Sequence, residues 1–150
     1  MNFLVLHGPN LNLMGIRSAQ IGERVTLDKI NRVLRRQART LEVSLKILQT
    51  HDSARAITFL HRNRNWANGL LFAPASWART QYDVLDTLQL IGIPFAEIFL
   101  TEEFDPNQYQ AISIFTGIAV VTLKGPPLNI FSEALTKLYE EITKESSKGP

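Results

Sequence analysis

The chain has 150 residues, of which 45% are hydrophobic and 20% charged, with a net charge of +2; one soluble globular domain over 1–150 is the expectation. It contains no cysteine, which excludes disulfides, thiol nucleophiles and cysteine-held metals. It opens without a basic stretch and long apolar core, and no apolar run reaches the roughly 18 residues of a membrane span, so the expected location is cytoplasmic, with no membrane partner.

In chain order, a short apolar strand over 3–6 ends at His7-Gly8-Pro9, and amides follow at once in Asn10 and Asn12. The next helical pattern starts only near Thr26. Residues 8–25 therefore read as irregular backbone, far longer than the roughly 2–6 residues of an ordinary strand-to-helix connection. Leu11, Leu13, Met14 and Ile21 let this segment pack, and it reads as the floor and lid of a binding site.

Leu27, Ile30, Val33, Leu34 and Leu41 form an apolar stripe at helical spacing behind Thr26, a plausible N-cap. Strands follow over 44–49, 69–73, 95–100 and 118–123, short and poor in charge, as strands buried on both faces are. Between them lie a helix marked by Ala54, Ile57, Phe59 and Leu60, capped by Asp52 or Ser53, and one marked by Tyr82, Leu85, Leu88 and Ile91, closed by Gly92. A last helix follows Pro126-Pro127, and the tail 144–150 reads as frayed.

Five strands alternating with helices predict an α/β protein with a parallel sheet covered on both faces. Ligands of such sheets bind beyond the carboxyl ends of the strands. That rule selects His7, Asn10, Asn12 and Arg17, then Thr50, His51 and Asp52, then Ser76, Trp77, Arg79 and Thr80, and finally Glu97, Thr101, Glu102 and Glu103. Together they offer guanidinium, carboxylate, amide and imidazole groups, enough for acid–base work on a small anionic substrate.

Other chemistries find little footing. The three histidines lack metal-ligand spacing, and no glycine-rich phosphate loop follows the first strand, so neither metal nor nucleotide cofactor is expected. Arg32, Arg35, Arg36 and Arg39 cluster on one helix without a recognisable nucleic-acid module, and read as a solvated face. Glu97 sits in an apolar strand, where a carboxylate needs either a structural ion pair or a role in the site. His51-Asp52 is read either as an acid–base pair or as a strand end and helix cap. His7 is read as a turn residue, and His61 as structural.

The run His7-Gly-Pro-Asn-Leu-Asn-Leu-Met-Gly-Ile-Arg17 resembles the opening motif of the type II 3-dehydroquinate dehydratases. Weaker matches continue through Gln49-Thr50, Thr80, Asp86 and Pro94-Phe-Ala-Glu97. The resemblance implies a flavodoxin-like three-layer sandwich, with a five-stranded parallel sheet in the order 2-1-3-4-5, and trimers assembling into dodecamers. It also implies a trans elimination of water through an enolate. Carried over by position, Asn10 matches the enolate-side asparagine, Arg17 the lid arginine, and Glu97 the glutamate behind the catalytic histidine. Leu100 and Thr101 fall where a pair holds the substrate carboxylate, and Asp86 where an aspartate reaches a neighbouring subunit.

The departures fall on the chemistry itself. The lid tyrosine aligns with Gly22, the catalytic histidine with Phe99, a strand-end asparagine with Ala73, a turn histidine with Arg79, and a substrate arginine near Pro106. Neither glycine nor phenylalanine can move a proton, and each lost acid–base group costs roughly 10²–10⁴-fold. Trp77, Phe99 and Phe104 should make the mouth more apolar. The reading is a diverged lyase or dehydratase acting on a small anionic or cyclic substrate, poor on 3-dehydroquinate, with Arg17, Asn10, Glu97 and His51 catalytic and Leu100, Thr101, Arg79 and Asp86 binding substrate. The alternatives are a non-catalytic relative, as ligand sensor or assembly subunit, and a genuine dehydratase with relocated groups such as Tyr82 or Tyr109.

Overall fold

The structure, a computed structural model, describes residues 1–147. Strands β1 (Asn2–His7), β2 (Ser44–Gln49), β3 (Gly69–Ala73), β4 (Phe95–Leu100) and β5 (Val121–Gly125) form one parallel sheet in the order β2-β1-β3-β4-β5, as the resemblance implies. Every residue of β3 and β4 is buried. Their uninterrupted apolar runs have that cause, since helices cover both faces. β2 is an edge and only half-buried, and its Lys46 lies 4.1 Å above the Trp66 ring.

The helices are α1 (Met14–Gln20), α2 (Leu27–Leu41), α3 (Ser53–Asn63), α4 (Trp77–Thr80), α5 (Tyr82–Ile91) and α6 (Pro127–Ser147). Local chemistry sets their ends. Thr26 Oγ1 accepts from the Lys29 N–H at 3.2 Å, and Asp52 Oδ1 from the Ala54 N–H at 2.9 Å, the two caps expected. Gly92 closes α5 at φ +68°, a conformation that costs a glycine little. Period-2 alternation then sorts the strands. Phe3, Val5, Leu71 and Ile98 face α2 and α6, while Leu4, Leu6, Leu70 and Phe72 face α3 and α5.

Three expectations are corrected. Residues 8–25 are largely helical rather than irregular, with a 3-10 turn at Leu11–Leu13 running into α1. Leu11, Met14 and Ser18 are buried at helical spacing, and Ser18 Oγ accepts from the Val25 N–H at 3.0 Å and donates to the Val25 carbonyl at 2.9 Å. The fifth strand begins at Val121 rather than 118, because Ala96 pairs with Val121 near the start of β4 and Thr116–Ile118 form a 3-10 turn. α6 runs through Ser147, so 144–147 are helical, and the rest of the expected frayed tail lies outside the described residues.

Candidate active site

The ends of β1 and β3 meet because residue 8 has no side chain. The Gly8 N–H donates to the Ala73 carbonyl at 2.8 Å, and a Cβ on Gly8 would stand 2.5 Å from the Pro74 carbonyl oxygen. The chain then turns at Asn10, whose φ of 69° is left-handed, a conformation asparagine tolerates better than most residues. Its side chain makes no capping bond, so it is free to face the space beyond the sheet. Met14 and Arg17 follow one helical turn apart on α1. Met14 is buried, and Arg17 Nη1 donates to the Phe104 carbonyl at 2.9 Å, tying α1 to the segment that leaves β4.

That segment folds on itself. The Thr101 carbonyl accepts from the N–H groups of Phe104 and Asp105 at 2.9 and 3.0 Å, and Asp105 Oδ2 accepts from the Tyr109 N–H at 3.2 Å. Between the two segments lies a cavity of about 80 Å³. Ala73, Ile98 and Leu100 are among its apolar lining, together with Phe99 and Phe104. Its polar lining is Asn10, Arg17, Ser76, Asp105, Asn107 and Tyr109. Asn10 and Asn107 are exposed and mark the mouth. Asp105 is 9% exposed, and its Oδ1 has no hydrogen-bond partner.

Of the residues selected from the sequence, the structure brings Asn10, Arg17, Leu100 and Ser76 to this cavity, with Phe99 and Phe104 as the expected aromatic lining. The others do not line it. Glu97 is fully buried on the α3/α5 side of β4. It has neither an imidazole nor a cation; Ser113, Thr116 and Thr122 donate their hydroxyls to it, the last two at 2.6 and 2.8 Å. Three donors satisfy a buried carboxylate without an ion pair. His51 is exposed past the end of the edge strand, and Asp52 spends its carboxylate on the α3 cap. The Thr101 N–H is already bonded to the Gly125 carbonyl, at 3.2 Å. Asp86 is exposed on α5.

Arg79 braces the rim instead of lining the cavity. Its Nη2 donates to the Asn107 carbonyl at 2.7 Å, and its guanidinium lies 4.9 Å from the Tyr109 ring centroid. Trp77 packs in the core 6.5 Å from the Phe72 ring rather than at the mouth. Tyr82 is 63% exposed and away from the cavity, whereas Tyr109 lines it. His7 is no turn residue. It ends β1 fully buried, with Nε2 2.9 Å from Asn31 Oδ1 and its ring 5.0 Å from Phe131. Burial pulls its pKa down to about 4, against the opposing pull of the Asn31 hydrogen bond.

Asp105 and Asn107 are the polar lining residues missed by sequence reasoning. The signal was present, since Asp105-Pro106-Asn107 is a turn-rich stretch just past the carboxyl end of β4. Among the described residues, no group of three or more potential ligands is placed to hold a metal, and no helix is long and apolar enough to cross a membrane.

The family model described as dehydroquinase class II matches residues 1–139. A protein of Trichodesmium erythraeum (strain IMS101) named 3-dehydroquinate dehydratase is 32% identical over 124 residues, covering 83% of each chain. One of the same name from Chromobacterium violaceum is 31% identical over 146 residues, 97% of this chain and 94% of its own. Among solved structures, the type II dehydroquinase of Butyrivibrio crossotus DSM 2876 superposes with a TM-score of 0.83 at 20% identity, covering 93% of this chain and 97% of that one. A 3-dehydroquinate dehydratase-like protein of Bifidobacterium longum gives 0.68 at 16%, covering 95% and 98%. At those identities the two structures share the fold with this chain.

Proposed function

The chain belongs to the class II dehydroquinase family, and we propose that it keeps the family's cleft as an acid–base lyase site for a small anionic or cyclic substrate, while acting poorly or not at all on 3-dehydroquinate. The observation that carries this reading is Phe99. It lines the cavity at 3% exposure, at the position of the proton-transferring histidine implied by the resemblance. Glu97, the residue that would orient such a histidine, is taken up by three hydroxyls. Gly22 adds a second gap, being exposed and outside the cavity lining.

In this reading Arg17 holds the substrate's negative charge and Asn10 an enolate-side oxygen or water. The proton-handling groups are those on the cavity, the Asp105 carboxylate and the Tyr109 phenol. His51 and Glu97 take no part in it. A trimer-based homo-oligomer in the cytoplasm belongs to the same proposal. The exposed apolar side chains of Leu90, Ile112, Ile118 and Val120 support the assembly, and light scattering tests it.

A second reading, a genuine 3-dehydroquinate dehydratase with relocated groups, is favoured by Tyr109 on the cavity. Incubation with 3-dehydroquinate decides between the two, following the conjugated product by absorbance alongside thermal-shift binding. Turnover in the ordinary enzyme range, about 1–10³ s⁻¹, overturns the leading proposal and points to Tyr109. Binding without turnover points to a sensor or inert relative. Neither binding nor turnover is the result expected.

A further inference from the structure

Four arginines stand close together on α2, at Arg32, Arg35, Arg36 and Arg39, and all four are exposed. The periodicity of the helix gathers them into one arc of about 100°. That arc lies opposite Ile30, Leu34 and Ala38, the residues α2 buries. Residues three and four apart on a helix are neighbours, so Arg32 and Arg39 each stand beside Arg35 and Arg36, and every such like-charge pair opposes folding.

No acid relieves the repulsion. Asp28 and Glu42 flank the stripe at its two ends, and among the described residues the ion pairs are Lys124–Glu102 and Lys144–Glu141. α6, which packs beside α2, alternates its charges instead, through Glu133, Lys137, Glu141 and Lys144. The uncompensated stripe on α2 therefore costs the fold something and returns it nothing.

We propose that this stripe is a docking surface for the phosphodiester backbone of double-stranded nucleic acid, bound without regard to base sequence. Arg32 and Arg39 are about 10 Å apart along the helix axis, a length over which one strand of a duplex presents about three phosphates. The charge densities therefore match, and the planar fork of arginine suits phosphate oxygens. An extended acidic peptide offers one side chain to a given face only every ~7 Å, too sparse for four guanidinium groups. A flat anionic membrane would also meet Glu133 and Glu140, which border the groove beside Gln37 of α2, and none of the exposed large apolar side chains lies on α2 to enter it. α2 has no aromatic residue on which unpaired bases could stack, which favours a duplex over a single strand.

The test titrates the full chain into a fluorescently labelled duplex of about 20 base pairs and follows anisotropy from about 20 to about 200 mM salt. Two unrelated sequences should bind alike, with log affinity falling against log salt at a slope of about −3. Replacing Arg35→Ala and Arg36→Ala together removes every like-charge pair of the stripe. The slope should shrink to about −1 and binding at low salt should weaken about tenfold or more. The unfolding midpoint should hold or rise, which separates lost docking from lost folding. Absence of binding at low salt, an unchanged slope in the double variant, or a lower midpoint overturns the proposal. So does tighter binding of a poly-glutamate peptide or of phosphatidylserine vesicles, which would assign the stripe to an acidic protein or to a membrane.

Discussion

Acidification should destabilise this protein through His7. His7 is fully buried between α2 and α6, with its Nε2 donating to Asn31 Oδ1 and its Nδ1 left without a partner. Protonating Nδ1 would put a charge beside the Phe131 ring and nothing to accept its hydrogen. Burial holds the folded-state value at about 4, below the ordinary 6.5 that the unfolded chain regains. The unfolded state therefore binds the proton first. Stability is intact above pH 6.5 and falls as the pH drops from 6.5 toward 4. The full difference between the two values is worth about 3 kcal/mol, and the part lost between pH 8 and pH 5 about 2 kcal/mol. In urea, with a slope of about 2 kcal/mol per molar, the midpoint should fall by about 1 M. Carboxylates also titrate in this range, so the assay compares wild type with His7→Leu at each pH. Whatever is common to both cancels, and the wild type should lose about 2 kcal/mol more than the variant over that span. Parallel loss in the two proteins would refute the reasoning, because it would mean that His7 is charged in the folded state or that its site opens to water.

Three further outcomes follow from single contacts. Gly8→Ala would place a Cβ 2.5 Å from the Pro74 carbonyl oxygen, so the β1 and β3 ends must part; a loss of about 1–3 kcal/mol in urea unfolding is expected, with the cavity floor disturbed. Glu97→Ala strips the acceptor from Ser113, Thr116 and Thr122 and should cost about 3–5 kcal/mol, whereas Glu97→Gln should cost about 1–2 because the hydroxyls can rotate to accept from the amide. Equal losses in the thermal melts of these two variants would show that the hydroxyls do not act through hydrogen bonds. Arg17→Ala should weaken binding of small carboxylates about tenfold or more in calorimetric titration. It should move the unfolding midpoint little, since Arg17 makes one structural bond, to Phe104.

Much of the fold was legible because its signals are local. β2, β3 and β4 fall where their apolar runs stand, since strands buried on both faces leave no room for polar alternation. Thr26, Asp52 and Gly92 mark helix ends by the chemistry of a side-chain oxygen or a missing Cβ. α1 was not legible in the same way. Gly15, a poor helix former, stands in its first turn, and the apolar residues at its start are split between core and surface, with Met14 buried but Leu13 and Ile16 exposed. Its support is tertiary, through Leu11 and Met14 in the core and Ser18 bonded to Val25. The start of β5 was misplaced for a related reason, since a strand begins where its partner does, and β4 starts at Phe95.

The candidate site divides along the same physical line. Asn10 and Arg17 lie within one short run, so a linear pattern could carry them. The surroundings of Glu97 could not be read this way. Its three hydroxyls come 16, 19 and 25 residues later, and only the pairing of Glu97 with Thr122 across β4 and β5 brings the last of them close. A strand glutamate satisfied by hydroxyls and one that orients a catalytic imidazole look alike in sequence. His51 shows the converse. The strand-end rule selected it by direction, but its strand is the edge of the sheet, and the cavity lies among segments after β1, β3 and β4. Asp105 was hidden because the capping of Tyr109 is a local matter, while the burial of its other oxygen is not. The chemistry of this cleft therefore turns on groups that loop packing brings together.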